Sequence, residues 1–140
     1  MYNIQALPTY LMMKNTLLAA LLIFILGNLC HAGLPWWFLA PIAAIVGWFL
    51  PRGGWGAFFG GFLGGFLLWL TAAWFSDHSN GSMLSAKVGL LFSLQSLQLM
   101  LVTGILGGLV GAFSALTGWL ARGMLTTRSR KRNYLQERRR

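Results

Sequence analysis

Four residues of the chain have side chains that could bind a transition metal, and they fall in two adjacent pairs. Cys30 and His31 lie at the end of one apolar segment, and Asp77 and His78 follow another. If both segments cross a membrane in the same direction, the pairs lie at one face, where thiolate and imidazole suit zinc or copper. Neither pair has the ligand spacing of a recognised metal motif. We therefore interpret the four as weak metal candidates and expect residues that face water, with no metal and no other cofactor.

The remaining residues offer few groups that could catalyse a reaction or carry charge across a membrane. The apolar segments contain no Asp, Glu, Lys or Arg between their ends, whereas proton relays, voltage sensors and ion-coupled transporters depend on such charges. No nucleophile and base pair, paired carboxylates or phosphate-binding loop is recognisable. We predict that the protein is not an enzyme. The polar residues within the segments are expected to hydrogen-bond across helices or to a carbonyl of their own helix; they are Asn28, Thr71, Gln98, Thr103, Ser114 and Thr117.

Small residues recur at four-residue spacing in two of the apolar segments. Helices in lipid associate closely through such faces, because no large side chain separates their backbones. We expect the third and fourth apolar segments to form a tight pair, and the second small stripe leaves self-association open as an option. The predicted helix-packing residues are Gly56, Gly60, Gly61, Gly64 and Gly65 in the third segment and Gly104, Gly107, Gly108 and Gly111 in the fourth.

The composition predicts that these residues lie on membrane-spanning helices. The chain is 56% hydrophobic and 9% charged, against about 25% charged residues in soluble domains. We predict an all-α integral membrane protein, a four-transmembrane-helix bundle with spans at about 15–32, 36–50, 54–75 and 97–120. A short amphipathic helix is predicted at about 82–95, before the fourth span. Residues 1–125 then form one membrane-embedded domain, and the basic tail 126–140 is expected to be disordered.

The first two segments each leave an alternative open. Residues 1–32 are interpreted as containing a retained span, but Lys14 before an apolar core and a small-residue site at Cys30–Ala32 also fit a cleaved signal peptide. The second segment is short for a bilayer. Pro41 within it predicts a kink, or a Trp37 carbonyl that needs another donor.

The basic residues predict an orientation. With four spans and a cytoplasmic N-terminus, ten of the 11 basic residues lie on one side and Lys87 lies on the other. Basic residues accumulate in cytoplasmic loops, so both termini are predicted to be cytoplasmic, in the inner membrane of a bacterium. The tail is expected to contact anionic headgroups or an acidic partner, and nucleic acid is disfavoured because no folded recognition module is present. Its basic residues are Arg128, Arg130, Lys131, Arg132, Arg138, Arg139 and Arg140.

Two functions are compatible with these features. The first is a non-enzymatic accessory or assembly subunit, which acts through packing against other membrane helices in a homo- or hetero-oligomer. The second is a small homo-oligomeric channel or facilitator that uses hydroxyl groups and backbone carbonyls at glycine-rich crossings. We prefer the subunit, because the absence of intramembrane charge disfavours coupled transport, although it leaves passive conduction open.

Overall fold

The computed structural model describes residues 6–31, 35–81, 83, 87–89 and 95–137. Its described elements are α1 (Ala6–His31), a 3-10 turn (Trp36–Phe38), α2 (Leu39–Phe49), α3 (Gly54–Ser79) and α4 (Ser96–Glu137). All of these elements are helical, which confirms the predicted all-α class. Most of the amphipathic helix predicted at 82–95 lies outside the described residues, although 87–89 are helical.

Three helices are long and apolar enough to cross a membrane. They contain the segments Leu11–Cys30, Gly54–Ser79 and Ser96–Thr126. The second predicted span contains only 11 residues of α-helix, because its first three residues form the 3-10 turn. Such a helix extends about 16 Å, roughly half of a 30 Å hydrocarbon layer. The structure therefore has three helices long enough to span and one shorter apolar helix, where the sequence predicts four spans, the second of them short.

Prolines at both ends explain why α2 is short. Pro35 is extended and precedes the 3-10 turn, and α2 begins only after that turn. Pro41 consequently falls in the first turn of α2, where a missing N–H removes no helical hydrogen bond. The Trp37 carbonyl accepts the backbone N–H of Leu39. The irregularity predicted at Pro41 is thus a change of helix type before it, and Pro51 lies just beyond the last bond, from Leu50 N–H to Val46 O.

The central helix of the bundle is α3, which lies between α1 and α4. It runs parallel to α1, since Gly60 lies next to Thr16 and Gly64 next to Ala20, and antiparallel to α4. The short helix α2 packs chiefly on α4 and also on α1. One core cluster joins all four helices, and its members are Ala19, Ile23, Leu39, Ala43, Val46, Leu68 and Ala115.

Side-chain size is distributed with small residues inside and large apolar residues outside. Ala43, Ala57 and Ala112 are completely buried, whereas Leu29 is 71% exposed and Trp55 is 76% exposed. A soluble protein rarely exposes such extended apolar surface, but hydrocarbon solvates it without penalty. The distribution agrees with a membrane-embedded bundle.

The described part of the basic tail is helical. Residues 126–137 continue α4 as a helix of 42 residues in total. Extending an existing helix needs no new nucleus, and Arg, Lys, Leu, Gln and Glu are good helix formers. At about 1.5 Å per residue, α4 is about 63 Å long, so its C-terminal part extends well past a 30 Å hydrocarbon layer.

The close crossing of α3 and α4 predicts that replacing a glycine of α4 by leucine lowers the free energy of unfolding only where that glycine faces α3. A Cβ on Gly111 would overlap the Gly61 carbonyl, whereas a Cβ on Gly123, in the same helix, would meet no atom within 4 Å. We expect Gly111→Leu to lower the free energy of unfolding by about 2 kcal/mol or more, as in overpacked cores. Gly123→Leu, the matched control, should leave it within about 0.5 kcal/mol.

Unfolding in mixed detergent micelles, followed by circular dichroism, measures both variants. Equal midpoints for Gly111→Leu and Gly123→Leu would contradict a close α3 and α4 contact.

Candidate functional site

The predicted packing glycines of α3 divide between two neighbouring helices. Gly61 and Gly65 face α4, where an added Cβ would overlap the carbonyls of Gly111 and Gly107. The two backbones therefore touch directly at this crossing. Among the described helix pairs, α3 and α4 make the most extensive contact.

The other stripe of α3 faces α1. A Cβ on Gly60 would lie 3.0 Å from the Thr16 carbonyl, and a Cβ on Gly64 would lie 2.8 Å from the Ala20 carbonyl. The sequence left self-association through a second stripe open as an option. In the structure α1 covers it, so both small faces of α3 are used within one chain.

Two glycines of α4 receive aromatic rings from α3. A Cβ on Gly104 would lie 3.0 Å from the Phe66 ring, and a Cβ on Gly108 would lie 3.0 Å from the Phe62 ring. These two rings stack on each other with centroids 6.0 Å apart and an interplanar angle of 14°. Gly107 lies under Trp69 in the same way. The glycines of α4 thus accommodate the bulky side chains that alternate with the small stripe of α3.

A third close crossing joins α2 to α4 and was missed by the sequence analysis. An added Cβ on Gly47 would overlap the Ala115 carbonyl, and one on Gly118 would overlap the Ala44 carbonyl. The signal was present as a pair of small residues at four-residue spacing, Ala43 and Gly47. This signal is weaker than the stripes of the third and fourth segments, because the second segment contains a single glycine.

Arg122 has a structural role that the sequence did not indicate. Its guanidinium donates to the Trp48 carbonyl at 2.7 Å and to the Pro51 carbonyl at 2.8 Å. These acceptors are at the C-terminal end of α2, where carbonyls lack helical donors and the helix dipole favours a cation. Arg122 is separated from them by more than 70 residues. No local pattern could therefore have predicted the pairing.

Four of the six polar residues within the predicted spans donate to a carbonyl of their own helix. Asn28 donates to the Phe24 carbonyl, and Thr117 donates to the Phe113 carbonyl. Thr71 and Thr103 follow the same pattern, each donating to the carbonyl four residues earlier. The three threonine hydroxyl protons are satisfied within their own helices, and one N–H of the Asn28 amide is satisfied in the same way.

The four weak metal candidates do not form a common centre in the described part of the chain. Cys30 lines a cavity of about 210 Å³ beside Ser76 and Thr103, whereas Asp77 lines an adjoining cavity of about 150 Å³. His78 is exposed and stacks on Trp74, with ring centroids 6.5 Å apart. Among the described side chains, no three of His, Cys, Asp and Glu lie close enough to hold a metal ion. The side chain of His31 is outside the described set.

The basic residues are unevenly distributed between the two ends of the bundle. Arg122 bonds to the carbonyl of Pro51, the residue before Arg52. Lys14 is at the same end of the bundle, because the nearby Met12 lies beside Gly53. We call this the Arg52 end. Lys87 adjoins Val88, which lines the cavity beside Asp77 at the opposite, Asp77 end. In the tail, residues 128, 130, 131 and 132 lie on the helical extension of α4, and 138–140 lie outside the described residues.

The Arg122 contact predicts a loss of stability that depends on the shape of the side chain. Hydrogen bonds that involve a charged group contribute about 1.5–3 kcal/mol each at most. Arg122→Gln should therefore lower the free energy of unfolding by about 2 kcal/mol. Arg122→Lys should lower it by less, because an ammonium group keeps the positive charge but lacks the two parallel N–H donors of the guanidinium. Arg52→Gln, the matched control at an exposed residue of the same end, should change it by less than about 0.5 kcal/mol. An equal effect of Arg52→Gln and Arg122→Gln on detergent unfolding would refute a specific contribution of Arg122.

Comparison of the chain with known protein families, characterised proteins and solved structures finds no match. The functional interpretation therefore depends on the geometry of the chain itself.

Proposed function

We propose that this chain is a small polytopic membrane protein that acts as a non-enzymatic accessory or assembly subunit. Its Arg52 end and both termini face the cytoplasm of a bacterium, and it acts through contacts with other membrane helices. The observation that carries this proposal is the use of both small faces of α3 inside one chain. The backbone contact at Gly61 and Gly111 fills the centre of the bundle, which leaves the outer sides of the helices as the surfaces that can meet a partner.

Four crossings are supported by the relative directions of the helices. Because α1 and α3 are parallel, the chain between them must return along the bundle. The 3-10 turn and α2 extend about 22 Å together at about 2.0 and 1.5 Å per residue. Four residues between α2 and α3 can add about 13 Å if extended. The short second helix can therefore complete a crossing with non-helical ends.

The exposed apolar sides support a role in lipid or in a larger assembly. Leu17 and Leu21 on α1 are 60% and 53% exposed, and Leu106 on α4 is 55% exposed. These side chains can pack on lipid tails or on the apolar surface of another helix. The distribution of basic residues supports a cytoplasmic Arg52 end, where the helical extension of α4 would carry its cations close to anionic headgroups.

The orientation predicts which introduced cysteines react from outside an intact cell. In a Cys30→Ser background, Ser79→Cys at the Asp77 end should react with a membrane-impermeant maleimide on intact cells. Thr126→Cys, which is beyond the Arg52 end and also exposed, should react only after permeabilisation. The reverse labelling pattern would show the orientation to be wrong, and labelling of both on intact cells would show that α4 does not cross the membrane.

The subunit proposal predicts the composition of the native assembly. Purification of the tagged chain in mild detergent should recover a different membrane protein in stoichiometric amount. The pure chain in liposomes should not increase leakage of K⁺ or of small neutral solutes, because its centre is filled at the glycine crossing. A pure homo-oligomer that conducts in liposomes would overturn the proposal in favour of a channel or facilitator.

A further inference from the structure

A groove of about 390 Å³ lies between the N-terminal parts of α1 and α3, at the Arg52 end. Its walls include Met13 and Leu17 from α1 and Trp55 and Phe59 from α3. The groove exists because α3 begins with glycines, which leave the space beside α1 without side chains. Its volume is within the range of about 300–1,000 Å³ that is usual for sites that hold organic ligands.

The walls of this groove are suited to an apolar occupant. Met13 and Leu17 are 61% and 60% exposed, and Phe59 is 51% exposed. Thr16, the one hydroxyl residue of the lining, donates to the Met12 carbonyl at 2.9 Å. Its hydroxyl proton is thereby satisfied, so the wall requires no polar occupant. A hydrocarbon chain meets these side chains at no desolvation cost.

The mouth of the groove is positively charged. Arg52 is part of the lining, is exposed, and has no hydrogen bond or ion pair within the described part of the chain. The first turn of α3 contains no acidic residue, and its N-cap Gly53 offers no capping side chain. An anionic oxygen at this point would meet both a guanidinium and the positive end of a helix.

From this combination we infer that the groove binds an anionic phospholipid, with one acyl chain between α1 and α3 and the phosphate at Arg52. A second copy of the chain would match the apolar wall but not the charge. The sequence has only two acidic residues, Asp77 and Glu137. Asp77 is at the opposite end of the bundle and Glu137 is the last described residue of the tail, so neither is placed to meet Arg52 within the bilayer. This lipid site does not depend on the accessory role proposed above.

Lipid binding to the full chain in neutral detergent micelles tests the charge at the mouth. Native mass spectrometry can measure the affinity for dioleoyl phosphatidylglycerol and for dioleoyl phosphatidylcholine. We expect the wild-type chain to prefer phosphatidylglycerol, and Arg52→Gln to weaken that binding about fivefold, as loss of one cation near a headgroup would. Lys14→Gln is the matched control, because Lys14 is exposed at the same end but outside the groove lining. It should weaken phosphatidylglycerol binding by less than about twofold.

A second variant tests the apolar part of the groove with its charge intact. Met13→Trp should fill the space and weaken the binding of both lipids, and its helicity and unfolding midpoint should match those of the wild-type chain. Equal losses for Arg52→Gln and Lys14→Gln would overturn the site in favour of general surface attraction. Equal affinities of the wild-type chain for the two lipids would also overturn it. A third result would overturn the lipid site: a dimer of the wild-type chain in analytical ultracentrifugation that Met13→Trp dissociates while lipid binding is unchanged. The groove would then hold a second copy of the chain.

Discussion

The close approach of the α3 backbone to both of its neighbours is the constraint on which the rest of the bundle depends. In water, a helix with so many glycines would be penalised by about 1 kcal/mol for each. In lipid the backbone must satisfy its hydrogen bonds internally, so the helix persists and its glycines become contact surface. Because one stripe faces α1 and the other faces α4, α3 is held in the centre. Large side chains are then left to the outside, as the exposed Leu29 and Trp55 illustrate.

The short helix α2 is attached by different means. Its 11 residues are too few for a stable isolated helix, and Pro51 follows its last turn. Two contacts compensate for this. Gly47 and Gly118 allow α2 to approach the α4 backbone, and Arg122 satisfies the carbonyls of Trp48 and Pro51. One cation of α4 thereby couples the end of α2 to the chain reversal before α3.

The two ends of the bundle consequently differ in chemistry. The Arg52 end combines Arg122, which is committed to backbone carbonyls, with Arg52, which is exposed beside an apolar groove. The Asp77 end holds two adjoining cavities, of about 210 and 150 Å³, that share Ala73, Ser76 and Thr103. An anionic lipid bound at the Arg52 end would attach the bundle to one leaflet. The outer sides of α1 and α4 would remain available to partner helices. Lipid attachment and partner recognition would then use separate surfaces.

Hydropathy and helix length are local properties, so they were sufficient to predict the helical class and the approximate positions of three long apolar helices. The sequence also identified small-residue stripes, since a four-residue spacing places glycines on one face of any helix. Which stripe meets which neighbour depends on how the helices pack in three dimensions: Gly60 and Gly64 face α1, while Gly61 and Gly65 face α4. The contact of Arg122 with α2 and the groove beside Arg52 were equally out of reach. Both depend on residues far apart in the chain that are brought together only when the helices pack.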